Sequence, residues 1–335
     1  MSCLAPAIEI SNETDLIQTF LAPLTRGAPG AFGLRDDAAL LTPEPGTDLV
    51  FTSDPIIAGV HFLPTDRPAD IAWKALAVNA SDLGAKGAQP LAYILTLAFP
   101  EPPERQWIES FAAGLKAAQE NFGGHLLGGD TDLTPGPLSI GITMIGGVPS
   151  GRFVRRQGAA EGDHVFVTGT IGDAALGLLA HRDPAAFSGL TANERAFLAG
   201  RYLRPMPRLA LAETLRAHAR AALDVSDGLV KDLTRLAGSL GLALDFGRIP
   251  LSNAAAAALA ADPEIAKTVL SGGDDYELLI AVPPSSVVAF RDGAAAAGVN
   301  VSELGVLRRE PGLEIVDSRG RPIKIERSGY DHFSR

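Results

Sequence analysis

Six short segments set aspartates among glycines, small residues and hydroxyls. They are Asp36-Asp37-Ala38-Ala39, Thr52-Ser53-Asp54, Asn79-Ala80-Ser81-Asp82, Gly128-Gly129-Asp130-Thr131-Asp132, Asp224-Val225-Ser226-Asp227-Gly228 and Ser271-Gly272-Gly273-Asp274-Asp275-Tyr276-Glu277. Several fall where a hydrophobic strand is expected to end. Carboxylates gathered at strand ends repel one another unless cations sit between them, and hard oxygen ligands suit Mg²⁺. The pattern points to metal-bridged phosphate chemistry. A lone Asp after a strand is more often a turn residue or a helix cap than a ligand, and Asp15, Asp66 and Asp173 are read that way. Asp227, followed by Gly228, could be a cap as well. The argument for Asp37, Asp54, Asp82, Asp130, Asp224 and Asp227 is collective, because all six lie in settings small enough for a ligand to come close.

Other candidates carry less on their own. The Gly128-Gly129 and Gly272-Gly273 pairs are either tight turns or places where backbone N–H groups could reach a phosphate. A Walker A loop is absent. The run Val165-Phe166-Val167-Thr168-Gly169-Thr170-Ile171-Gly172 follows a strand and opens a helix, but it lacks the close glycine pair of a dinucleotide fold. Arg156, after Arg152 and Arg155, is either a solvated basic surface or a planar fork for a phosphate. His61 and Tyr330 taken singly read as packing residues. With no Gly-x-Ser-x-Gly and a single thiol, Cys3, serine and cysteine nucleophile chemistry is set aside, as are disulfides and thiolate metal sites.

The 335 residues leave room for two domains, and 46% hydrophobic with 20% charged residues is ordinary for a globular core. A formal charge of −10 with no basic surface argues against nucleic-acid binding, and it means that a bound nucleotide would need metal ions beside it. The first residues do not read as a signal peptide, and no apolar run reaches a membrane span. A cytoplasmic protein without a membrane partner is therefore expected.

The elements that must position these residues alternate. A helix is predicted from about 13 to 24, and Leu49-Val50-Phe51 reads as a short buried strand that delivers Thr52, Ser53 and Asp54 at its end. A helix over 68–83 puts Asn79 and Asp82 on one face. Tyr93 to Phe99 and Leu138 to Met144 show strand alternation, with a helix near 104–121 and the segment 125–130 between them. A boundary is placed at Val148–Arg152, giving domains 1–148 and 149–335. After it come a strand at 164–167, a helix at 173–181, a strand at 222–225, a helix from 228, and strand, helix, strand over 276–306. The alanine-rich patch at 254–261 is good helix composition. The fold class is α/β or α+β.

In order along nearly the whole chain, these segments resemble the thiamine-monophosphate kinases, of the superfamily that includes aminoimidazole ribonucleotide synthetase. The matching stretches are the Asp segments above together with Gly59-Val60-His61-Phe62-Leu63-Pro64, Val167-Thr168-Gly169-Thr170-Ile171-Gly172-Asp173 and Gly329-Tyr330-Asp331-His332-Phe333. The resemblance implies an N-terminal ATP- and Mg-binding domain whose sheet pairs with that of a second subunit to form a barrel, so a homodimer, and a C-terminal α/β domain. It implies phosphorylation of thiamine phosphate by ATP, with several Mg²⁺ ions. Carried over, Asp37, Thr52, Ser53, Asp54, Asp82, Asp130, Asp224 and Asp227 would hold metal, and Gly129, Asp130, Arg156 and Ser226 would contact ATP. His61, Asp274 and Tyr330 would line the thiamine phosphate side. No dedicated general base is expected, because the acceptor phosphate is already ionised. Asp274 stands where many relatives carry Glu, one methylene longer. Rival readings are a sibling ATP-dependent enzyme acting on another substrate, or a non-catalytic nucleotide- and Mg-binding protein.

Overall fold

The structure is a computed structural model, and it describes residues 10, 12–183, 185–317, 319–325 and 328–332. Cys3 and Phe333, invoked above, lie outside them. The chain divides into two compact units, Met1–Asn79 with Pro90–Gly147, and Ala80–Gln89 with Val148–Arg335. The sequence reading placed everything up to residue 148 together. The second unit also takes in Ala80–Gln89, which holds Ser81, Asp82 and Lys86.

In the first unit, α1 (Glu13–Leu16) continues as a π-helical turn over Ile17–Leu21 and a 3-10 turn over Ala22–Thr25, so the predicted helix is present in three different windings. It starts where the Asn12 side chain accepts the Asp15 N–H. Strand β1 (Thr47–Ile57) follows, then α2 (Pro68–Ala85), β2 (Gln89–Phe99), α3 (Arg105–Phe122), β3 (Leu126–Leu133) and β4 (Ser139–Pro149). The sheet order is β1-β4-β2-β3, with β2 and β3 parallel across the α3 crossover. Helices α2 and α3 cross so closely that a side chain on Gly114 would lie 2.3 Å from the Ala69 carbonyl oxygen, and glycine is what permits the approach. Trp73 and Phe122 meet edge to face at 4.9 Å beside that crossing.

Two expectations about this sheet are corrected. Leu49-Val50-Phe51 is not a short buried strand with the hydroxyl–carboxylate triplet at its end. β1 runs on to Ile57, so Thr52, Ser53 and Asp54 sit in mid-strand, and Phe51 is 62% exposed. Asp130 likewise lies inside β3, paired in register with Thr96 of β2. The physical reason is the same for both. β1 and β3 are the two edges of the sheet, and most of their side chains after the first few residues are exposed, so polar residues continue each strand without cost to a core.

In the second unit come β5 (His164–Thr168), α4 (Asp173–Arg182), α5 (Ala192–Leu203), α6 (Ala212–His218), β6 (Ala221–Asp224), α7 (Leu229–Ala237) and β7 (Gly241–Asp245). They are followed by α8 (Asn253–Ala261), α9 (Ile265–Ser271), β8 (Leu278–Val282), α10 (Val287–Ala296), β9 (Val301–Val306) and β10 (Gly312–Val316). Strands order as β6-β8-β5-β9, antiparallel at every pair, while β7 and β10 form a separate parallel pair. Antiparallel neighbours around β5 also rule out the dinucleotide-fold reading of its Gly-containing exit, since that fold needs a parallel sheet. Alternate residues serve two cores. Val165, Val167, Leu279 and Ala281 join one cluster, and Phe166, Leu278, Ile280 and Val282 the other. Both faces of this sheet are therefore covered, which accounts for the unbroken apolar run of β8. Among the described residues no helix is long and apolar enough to cross a membrane.

Candidate active site

The first unit offers two groups of predicted residues. In one, Asp37, Gly129 and Asp130 line a cleft of about 390 Å³ with Thr96 and Ala38. Gly129 is there for steric reasons: a Cβ would fall 1.8 Å from the Leu95 carbonyl oxygen, on the neighbouring strand. Asp130 is exposed, and its Oδ1 accepts the N–H of Thr131. In the other group, Ser53 shares a 2.8 Å hydrogen bond with Thr143 of β4, and the buried Asn79 of α2 accepts the Asp54 N–H at 3.0 Å. Asn79 was noticed in the sequence only as a face-mate of Asp82; its work is to fix the backbone that carries Asp54. His61 closes the turn after β1, where its Nδ1 accepts the Ile57 N–H at 3.0 Å. The two groups are not one site within this sheet. Thr52–Asp54 on β1 and Asp130 on β3 are three strand spacings apart, about 14 Å along the sheet.

The second unit gathers its predicted residues around the β6–α7 connection. A cavity of about 480 Å³ is lined by Asp82, Lys86, Arg156, Asp224, Ser226 and Arg235, among others. Asp224 ends β6 almost fully buried and accepts the Ser81 hydroxyl at 2.7 Å. Burial first, and then the charge of Asp82, push its carboxyl up to about 8. Two carboxylates and a hydroxyl at this corner are hard oxygen donors, and that chemistry fits Mg²⁺. Burial lowers the pKa of the Lys86 ammonium, which donates to the Ala222 carbonyl at 2.8 Å and faces the same carboxylates. Among the described residues, however, no three His, Cys, Asp or Glu side chains are gathered as a metal-holding group.

Asp227 is already held. Lys231 Nζ lies 3.0 Å and Arg235 Nη2 2.6 Å from its Oδ2. Tyr330 is anchored beside it, donating its N–H to the Asp227 carbonyl at 2.8 Å, while Lys231 donates to the Tyr330 carbonyl. Tyr330 as a residue is 45% exposed. Asp274 joins the same neighbourhood through its N–H, which donates to the Ser226 carbonyl at 2.9 Å. The loop that presents Asp274 has left-handed backbone at Gly273, Asp274 and Tyr276, a conformation that a tyrosine adopts only under constraint. The constraint is visible. Asp275 accepts the N–H groups of Gly172 and Ala174, and Glu277 binds Arg201, Arg208 and Thr168. Sequence reasoning missed Lys86, Asp232, Arg235 and Glu277. Of these, the Asp232–Arg235 spacing, three apart on a helix, and the place of Glu277 at the end of the Ser271–Glu277 segment left a signal in the sequence.

Two family models match the chain: the AIR synthase related protein N-terminal domain over residues 35–148, and the corresponding C-terminal domain over 160–318. The thiamine-monophosphate kinase of Caulobacter vibrioides is 43% identical over 98% of this chain and 93% of its own length. The crystal structure of thiamine-monophosphate kinase from Stenotrophomonas maltophilia is 37% identical and superposes with a TM-score of 0.77, covering 86% of this chain and 90% of that one. AaThiL complexed with AMPPCP and TMP is 30% identical with a TM-score of 0.75, over 87% and 89% of the two chains. With this likeness running through both domains, the chain belongs to the thiamine-monophosphate kinase family.

Proposed function

We propose that the chain transfers the γ-phosphoryl group of ATP to thiamine phosphate, releasing thiamine diphosphate and ADP. The observation that carries this reading is the cavity of the second unit, where Lys86 and Arg156 face Asp82 and Asp224 beside the Ser226 hydroxyl. Cations there suit phosphate oxygens, and the paired carboxylates suit a cation brought in with the nucleotide. Family membership and the ligands of AaThiL support the choice of substrates.

Phosphoryl transfer asks for positioning and charge neutralisation more than for a covalent catalyst. Here an anion must approach an anion. Mg²⁺ would neutralise both and hold the attacking oxygen in line. The first unit offers Asp37, Thr52, Ser53, Asp54 and Asp130 as its ligands, and the second Asp82, Asp224 and Asp227. Gly129, Asp130, Arg156 and Ser226 contact ATP. His61 and Asp274 contact thiamine phosphate, and the aromatic ring of Tyr330 suits a cationic thiazolium. No side chain removes a proton, because the attacking phosphate oxygen is ionised near neutral pH.

The enzyme works as a cytoplasmic homodimer in this reading. Among the described residues, β1 and β3 are the edges of the first unit's sheet, and exposed Phe51 and Leu133 lie on them. A second copy pairing edge to edge would close a barrel and remove both.

The test is ADP release from Mg-ATP with thiamine phosphate, with thiamine, with aminoimidazole precursors and with no acceptor. Turnover with thiamine phosphate alone, lost on adding EDTA, is expected. Turnover with a different acceptor would move the chain to a sibling reaction, and ATP binding without any turnover would make it a nucleotide-binding protein.

A further inference from the structure

Three successive amides of the β6–α7 connection converge on one oxygen. Asp232 Oδ2 accepts the N–H groups of Ser226 at 3.1 Å, Asp227 at 3.0 Å and Gly228 at 3.2 Å. Its other oxygen, Oδ1, binds Arg235 Nη1 at 2.7 Å, and the side chain is fully buried. The second arm of the same guanidinium holds Asp227 Oδ2 at 2.6 Å. Convergent amides ahead of a helix are ordinarily an anion site. In this chain the anion is built in. A phosphate therefore cannot use those amides, and it must be recognised by the side chains that line the cavity.

Two further details show that the connection is fixed rather than merely capped. Gly228, at a φ of +126°, packs so closely that a Cβ there would lie 2.8 Å from the Ser271 carbonyl carbon. Asp274 and Tyr330 hang from the carbonyls of Ser226 and Asp227, so the backbone that Asp232 holds also carries both substrate-side residues. Arg235 lines the cavity with Arg156 and Asp224, and its position depends on Asp232.

We propose that Asp232 is a positioning residue for phosphoryl transfer. By filling the amide nest of Ser226–Gly228 and holding one arm of Arg235, it sets the direction of the Ser226 hydroxyl and the Asp227 carboxylate toward nucleotide and metal. This rests on the roles given to Ser226 and Asp227 above. A plain helix cap would affect stability alone, so the two can be told apart.

Asp232→Asn keeps the shape and one acceptor for the amides, but its NH₂ must then oppose Arg235. Binding of AMPPCP is measured by calorimetry across a Mg²⁺ titration, alongside melting temperature and steady-state kinetics. The expected result is a loss of nucleotide affinity of about tenfold or more, with the Mg²⁺ requirement moved to higher concentration. The KM for thiamine phosphate should change less than the KM for ATP. Arg235→Gln leaves the amide nest intact and serves if Asp232→Asn does not fold; it should show the same split at about fivefold. Nucleotide affinity and Mg²⁺ dependence within twofold of the parent in the folded variants would overturn the proposal, whatever the melting temperatures. The binding readout needs no acceptor, so it stands apart from any failure of the thiamine phosphate assignment.

Discussion

Replacing Glu277 with glutamine removes one charge from the most enclosed ion-pair centre of the second unit and little else. The carboxylate is fully buried and meets Arg201 Nη2 at 2.7 Å, the Arg208 guanidinium, and the Thr168 hydroxyl at 2.6 Å. Thr168 Oγ1 in turn accepts the Leu278 N–H at 2.8 Å, so the first residue of β8 is tied to the same centre. Gly169 has no room for a side chain, because a Cβ would fall 2.2 Å from Glu277 Oε1. A glutamine fits this space, but its NH₂ must face a guanidinium, and two arginines lose their counterion. Removing one member of a buried pair costs about 3–5 kcal/mol. The Arg201 and Arg208 side chains are 12% and 26% exposed and can turn toward water, which favours the lower end, near 3 kcal/mol. At about 2–4 °C per kcal/mol for a unit of this size, the melting temperature should fall by roughly 6–12 °C. Circular dichroism melts and urea midpoints at constant slope measure it. Because Glu277 also anchors the strained loop, the KM for thiamine phosphate should rise while the KM for ATP moves less. A loss under about 1 kcal/mol would refute the reasoning, since it would mean that the centre merely offsets its own dehydration.

Three other outcomes follow from the same geometry. Asp130→Asn should melt with the parent, since the side chain is exposed and its bond is to its own neighbour, yet abolish turnover at millimolar Mg²⁺; undiminished activity would remove Asp130 from the metal set. Gly129→Ala forces a Cβ against the Leu95 carbonyl, and unfolding free energy should drop by about 1–3 kcal/mol or more, with faster amide exchange along β2 and β3; unchanged exchange would contradict the close approach. Burial pushes the Asp275 carboxyl up to about 8 against the Gly172 and Ala174 amides. A carboxyl raised in the fold binds its proton there more tightly than in the unfolded chain, so its contribution is full below about pH 4 and is lost as pH climbs to about 8. Asp275→Asn should therefore gain stability relative to the parent between pH 5 and pH 8, and a difference that does not vary with pH would remove burial as the cause.

Most elements were legible because they rest on local rules. Apolar alternation marked β2 and β4, helical spacing marked α2, and glycines marked the turns around them. The misread elements were the edge strands β1 and β3. Alternation and burial fade there because the side chains of these strands are largely exposed, and the sequence reading ended both strands too early at their polar residues. Helices α5, α6 and α9 passed unremarked, as did the parallel pairing of β7 with β10, which joins residues some seventy apart. Such a pairing leaves no mark on either strand alone.

For the site, the residue types and their order along the chain were enough to identify the family and the phosphate chemistry, because the need for oxygen ligands, small neighbours and an arginine is written in local segments. Which side chains meet was decided only by folding. Ser81 reaches Asp224 across 143 positions, and Thr168 reaches Glu277 across 109. Asp232 could be seen in the sequence as a helix residue, but not as the acceptor of three amides. Asp227, read as a metal ligand or a cap, also meets Lys231 and Arg235. A sequence fixes the chemistry a segment can offer, while the partner of a buried charge depends on which distant segments share its low-dielectric surroundings, and only the tertiary structure sets that.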